Sequence, residues 1–491
     1  MRKLLLASAA MLSATAGIAM AQNPSQGQLA APWASGPAAN NNVNQTAAAT
    51  KGVDAIPTPG TVVIRLNGRV EAEITANFTS GDRGINGNGT PNGFKLNPVG
   101  ISSYMRLYPG FDGLTTNGIR YGASVELRQN VLASTTPAGA VSSPSGNSSA
   151  QTVFVRRAFG YVAHDKAGIF RIGKTDGVIG LFDPCTFYSG CWDAGVGNFN
   201  GGMMQATTAG AGVGVPFAWL AQAGSEYDNE KIVYLTPQFF GFDFGVQYAP
   251  TMGNSFSNSS AGSPIQNTVC NSANANCINV SSGNDSTRWL NQVAVGGRFQ
   301  QTWGPVDFKA YALYETAGKE SLTTTAYTTP TPTGTATTFR YDNLSFVSAA
   351  VAVTINNVIP GSLTVAADYI GGALNGQLAM RPTGGAPENA LVTGVTWRNG
   401  PWTLGAMVGW VESQGDARLT KISQRREFEV AFGGNYLVAP GFAIAAEYMY
   451  TQRHQGGFDF VNGNTVANLG AGASTRDAKG NGVLLATVFT W

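Results

Sequence analysis

Val62–Phe78 reads VVIRLNGRVEAEITANF, and its even positions are Val62, Ile64, Leu66, Gly68, Val70, Ala72, Ile74, Ala76 and Phe78. The odd positions include Arg65, Asn67, Arg69, Glu71, Glu73, Thr75 and Asn77. A helix would scatter these residues around its circumference, so a period of two decides for a strand with one apolar and one charged face. Phe428, Val430, Phe432, Gly434, Tyr436 and Val438 repeat the pattern against Glu427, Glu429 and Asn435. So do Phe240, Phe242, Phe244, Val246 and Tyr248 against Gly241, Asp243, Gly245 and Gln247. A soluble sandwich also alternates, but its strands average nearer five or six residues, and these runs are about ten or longer.

Composition says which face meets the surroundings. Of 491 residues, 43% are hydrophobic and 12% charged, about half the roughly 25% of soluble domains. The 25 Phe, 16 Tyr and 9 Trp exclude a solvated coil, so the apolar face needs an apolar surround. Leu4–Met20, behind Arg2 and Lys3 and ending at Ala19-Met20-Ala21, reads as a secretory signal peptide cleaved after Ala21. Its removal leaves 28 basic against 28 acidic residues, a balance that argues against nucleic acid as a partner. No later run of 18 or more apolar residues follows, which excludes helical spans. An exported chain with alternating strands and an apolar exterior is then a closed transmembrane β-barrel, since lipid tolerates no unpaired backbone.

Marking every such run gives an all-β, antiparallel barrel of about sixteen strands, within the range of outer-membrane barrels. The strands fall near 61–79, 98–110, 116–130, 151–164, 167–175, 224–236, 240–249 and 287–302. The remainder fall near 304–316, 341–355, 361–372, 388–398, 401–413, 424–438, 440–454 and 480–491. Tight connections rich in Gly, Pro and Asn, such as Trp303-Gly304-Pro305 and Asn399-Gly400-Pro401, alternate with long polar ones such as 176–223 and 251–286. Short periplasmic turns on one rim and long extracellular loops on the other are expected of such a barrel. Residues 1–21 are thus a signal peptide, 22–60 a flexible periplasmic tail or linker, and 61–491 the barrel. The tail could instead dock in the lumen.

Several segments resemble the general bacterial porin family, the trimeric sixteen-stranded diffusion channels, in its alphaproteobacterial branch. They are Val63–Val70, Ser103–Leu107 with Gly113–Glu126, Arg157–Tyr161 with Phe170–Lys174, and Tyr227–Phe242, in the family's order and spacing. The resemblance implies a water-filled channel in the outer membrane of a Gram-negative bacterium, passing ions and small hydrophilic solutes by passive diffusion. It implies an inward-folded third loop whose acids face a basic wall. Arg106, Lys174 and Arg69 match positions where the family keeps bases, Arg157 or its neighbour Arg156 adds to them, and Asp193 or Asp183 supplies the loop's acid. At Asp228 the family usually has arginine, a departure that weakens anion preference. Facing charges of opposite sign set a transverse field that favours polar solutes. The resemblance further implies a homotrimer, outer-membrane lipid around it, and the barrel-assembly machinery as a partner reading the terminal strand. There Phe489 and Trp491 share a face, with Trp where the family usually ends in Phe; both also suit an interfacial aromatic belt, as do Trp303, Trp397 and Trp402.

Cys185 and Cys191, and Cys270 and Cys277, form two near pairs inside long loops, either small disulfide rings or exposed thiols. Their spacing is wider than zinc sites favour, and neither metal nor cofactor is expected. His164 and His454 are the only histidines and fall on opposite rims, so no triad uses both. Gly210–Gly214 lacks the strand and helix of a phosphate loop. An enzyme is not expected. The competing readings are a channel specific for a sugar or organic acid, with saturable transport, and an adhesin or structural barrel.

Overall fold

The computed structural model describes residues 57–79, 83–85, 91–95, 98–129, 153–182, 230–251, 289–319, 329–330, 336–337, 341–357, 360–375, 380–415, 419–421, 423–459, 464–465 and 478–491. The signal peptide and the tail up to residue 56 lie outside them. Sixteen antiparallel strands close into one barrel in strict sequence order. They are β1 (Thr61–Thr79), β2 (Val99–Leu114), β3 (Arg120–Gln129), β4 (Val153–His164), β5 (Gly168–Lys174) and β6 (Glu230–Leu235). Next come β7 (Phe242–Thr251), β8 (Trp289–Trp303), β9 (Val306–Lys319), β10 (Leu344–Asn356) and β11 (Ser362–Ala373). The last are β12 (Glu388–Asn399), β13 (Trp402–Ser413), β14 (Arg425–Ala439), β15 (Phe442–His454) and β16 (Ala478–Thr490). Each corresponds to a strand expected from the alternation.

The faces sort as the period of two requires, with the apolar side outward. On β1, Ile64 is 84% exposed and Leu66, Val70 and Ile74 are also open, whereas Arg65, Arg69, Glu71 and Glu73 are buried, Arg69 to 4%. On β7, Phe242, Phe244, Val246 and Tyr248 point out while Asp243 and Gln247 are buried. This inversion of a soluble protein's pattern is stable only in lipid.

Two features differ from the expected bounds. β2 runs through Pro109 to Leu114 rather than stopping at Gly110, because Pro109 still pairs with Leu66 of β1. On the β3 side, where a proline offers no N–H, pairing lapses at Tyr108 and Pro109 and resumes in the same register at Gly110–Ser124. A short helix, α1 (Val178–Phe182), follows β5 where only a loop was expected. β6 is described from Glu230, and the expected start at 224–229 lies outside the described residues.

Tight turns form one rim. The turn from β4 to β5 needs Gly168 at φ +83°, where an added Cβ would strike the Leu235 carbonyl, and His164 Nδ1 accepts from the Lys166 N–H at 3.2 Å. Near these turns lies an aromatic belt: Phe299, Trp303 and Phe308 cluster at about 6 Å, and Trp402 sits 4.6 Å from Tyr436. Trp397 Nε1 donates to the Pro360 carbonyl at 2.8 Å.

Closure joins the two ends of the chain. β16 pairs with β15 and with β1, from Arg69–Thr490 to Thr79–Gly480. Beyond the strand, Gly68 and Trp491 exchange backbone hydrogen bonds at 3.1 and 3.2 Å, and the Trp491 ring occupies the place a side chain at 68 would take. Phe489 stacks parallel on Phe442, centroids 4.8 Å apart.

Two outcomes follow from this geometry. Val70→Arg, on the lipid face, should cost about 2–4 kcal/mol of unfolding free energy in detergent or vesicles, while Asn67→Arg, on the other face, costs far less. Gly68→Val should displace Trp491 and lower barrel stability by about 1–3 kcal/mol, seen as an earlier loss of the heat-modifiable band on electrophoresis.

Candidate pore constriction

The arginines meet because register brings lumen-facing positions of β1–β5 together. Arg69 lies directly opposite Arg106, and Arg106 opposite Arg128, so three guanidinium groups form one cross-strand row. Unit charges about 5.5 Å apart repel by roughly 3 kcal/mol at an effective dielectric near 20, so such a row persists only with carboxylates among it.

Glu126 is the principal one. It contacts Arg128 and lies 3.0 Å from Arg156 Nη1 and 3.2 Å from Arg157 Nε. Consecutive residues on a strand normally face opposite sides; here a bulge between Glu126 and Leu127 in the β3–β4 pairing leaves Arg156 unmatched, and both Arg156 and Arg157 are buried. Arg157 reaches on to Asp176 at 3.0 Å. Arg69 contacts Glu71, Arg65 lies 2.9 Å from Asp112, and the Tyr161 hydroxyl donates to Asp112. The fully buried Arg171 guanidinium lies 5.3 Å from the Phe159 ring centroid.

The chain leaving β5 turns inward. Thr175, Asp176 and all of α1 are buried. The Val178 N–H donates to Gln247 Oε1 at 2.6 Å, and Arg298, paired with Asp243 at 2.6 Å, lies over the Phe182 ring and donates to the Leu181 carbonyl at 3.3 Å. Gly245 makes room: a Cβ there would come within 2.8 Å of Leu235 and Val178. Burial raises the Asp176 carboxyl above the usual range, against the lowering pull of Arg157.

Of the expected residues, Arg69, Arg106 and Arg157 thus stand together on the lumen face. Lys174 does not join them. It shares parity with the lipid-facing Phe170 and Ile172, pairs across with the exposed Ala158, and donates to the Val155 carbonyl at 3.4 Å. Arg171, three residues earlier and of the opposite parity, faces inward instead. Asp183 and Asp193 lie outside the described residues, as do Cys185, Cys191, Cys270 and Cys277. Arg128, Arg171, Glu126 and Asp112 were missed, although their lumen parity on neighbouring strands was the signal that would have found them. Among the described residues no group of three or more His, Cys, Asp or Glu is placed to hold a metal.

Solved structures similar to this chain include the outer membrane channel DcaP of Acinetobacter baumannii, at 12% identity and TM-score 0.47, covering 89% of this chain and 99% of that one. OmpT of Vibrio cholerae in its trimer form matches at 12% identity and TM-score 0.44, covering 88% and 100%. The anion-selective porin from Comamonas acidovorans matches at 11% identity and TM-score 0.46, covering 88% and 100%. No curated protein matches the chain. The family profile of Gram-negative porins matches residues 7–456. With a closed sixteen-stranded barrel, a lipid-facing apolar exterior and a charged lumen, the chain belongs to the Gram-negative porin family, outer-membrane channels for passive diffusion rather than enzymes.

Proposed function

We propose that the arginine–carboxylate cluster of β1–β5 is the screen of this diffusion channel, acting on ions and small hydrophilic solutes in transit. The observation that carries the reading is the Arg69–Arg106–Arg128 row, held on the lumen side by Glu126. Fixed charges on one wall of a narrow aqueous path orient dipolar solutes and bias ion passage. Asp183 and Asp193, on the connection that begins inward at α1, are the acids proposed for the opposite side.

In the same reading the chain works as a homotrimer in outer-membrane lipid. Export follows cleavage after Ala21, residues 22–60 form a periplasmic linker, and Phe489 with Trp491 is read by the barrel-assembly machinery. A second reading has one observation in its favour. Among the described residues arginines outnumber carboxylates in the cluster, a surplus suited to a solute bearing a carboxylate, and an organic-acid channel would show saturable flux.

Single-channel recording of the purified protein under a salt gradient tests the reading. Large steps in threes are expected, and Arg106→Glu should move the reversal potential toward cations; folded protein that never conducts would overturn it. Glu126→Gln removes the carboxylate shared by Arg128, Arg156 and Arg157. It should lower stability by about 3–5 kcal/mol, read by thermal or denaturant unfolding, and shift selectivity toward anions.

A further inference from the structure

A second charged site lies on β14 and β15, with β16 between β15 and β1; its Thr451 is opposite Gly480, which pairs with Thr79 at the far end of β1 from Arg69. Glu427 and Glu429 both face inward from β14, and Glu429 is fully buried. Arg453 is engaged with Glu427 at 2.5 Å, and Arg425 with Gln455 at 3.2 Å and the Phe458 ring at 5.3 Å. Among the described residues neither carboxylate oxygen of Glu429 has a hydrogen-bond partner.

The register sets Thr451 of β15 directly opposite Glu429. Its hydroxyl is also fully buried and also without a partner. Beyond these two residues the neighbouring strands present Gly409, opposite Glu429, and Gly480, opposite Thr451, neither with a side chain to fill the need.

A buried carboxylate and hydroxyl left unmatched face each other across one strand pair, and such groups are stable only with a partner. The donors are all oxygens. With Glu427 already engaged by Arg453, the two oxygens of Glu429 and the Thr451 hydroxyl leave one negative charge and three acceptors, which suit a single positive charge such as a primary ammonium with its three N–H donors.

We propose that Glu427, Glu429 and Thr451 form a subsite for a monovalent cation, an alkali ion or the protonated primary amine of a solute, on the lumen wall away from the arginines. The subsite rests on the diffusion-channel reading, because it is filled by what enters the lumen. It gives cations a separate track past a wall whose arginines repel them.

The test uses full-length protein in planar bilayers, with reversal potentials under gradients of potassium chloride and then of methylammonium chloride. Glu429→Gln should lower the cation-to-anion permeability ratio by about twofold or more. Thr451→Val should move it the same way by less, and it keeps the test available if Glu429→Gln fails to assemble. Glu412→Gln, whose carboxylate pairs with Arg426 at 2.9 Å, should leave the ratio unchanged. A shift with both salts identifies a general single-charge site, one with potassium alone an alkali-ion site, and one with methylammonium alone an amine site. Ratios equal to wild type in both Glu429→Gln and Thr451→Val, in channels of normal conductance, overturn the subsite and leave the diffusion channel standing. Folded wild-type protein that never conducts overturns the channel reading and the subsite with it.

Discussion

Every backbone N–H and C=O of a strand in lipid must find its partner within the protein, and a sheet meets that demand only by closing on itself. Here closure is the β1–β16 seam, where Gly68 lets the Trp491 backbone and ring approach together. The rest depends on it. Once the sheet is closed, alternation sends one face to lipid and the other to a shared interior, and residues distant in sequence become neighbours in the lumen.

Inside, the governing term is the cost of crowding and burying like charges. The β1–β5 wall tolerates adjoining arginines because Glu126, Glu71, Asp112 and Asp176 are interleaved with them. A bulge adds to the density by turning Arg156 and Arg157 to the same side. On β14 and β15 the balance is different, with engaged arginines above and an unmatched carboxylate and hydroxyl below them.

The strands were legible in the sequence because their period of two is enforced by two solvents, lipid and lumen, at nearly every position from Val62 to Phe78. Arg69 and Arg106 were named through likeness to the family, and both fall on the lumen parity of their strands. Lys174 shows where likeness to a family misleads: its parity with Phe170 and Ile172 places it outward, and Arg171 takes the inward role. The pairing of Arg156 with Arg157 was not legible, since a bulge depends on the register of the neighbouring strand. Nor was the grip of α1 on β7 and β8, which depends on the space left at Gly245 and on the Arg298 side chain.

The seam at Gly68 and Trp491 also carries a kinetic burden. It joins segments more than four hundred residues apart, as the contact of Thr487 with the Ala72 carbonyl records at a separation of 415. Contacts of such range form slowly, because the chain loses loop entropy before they can reward it. Until β16 joins it, β1 has an unpaired edge able to template pairing with other chains. The strand that pairs last with β1 therefore decides when that edge ceases to be an aggregation hazard.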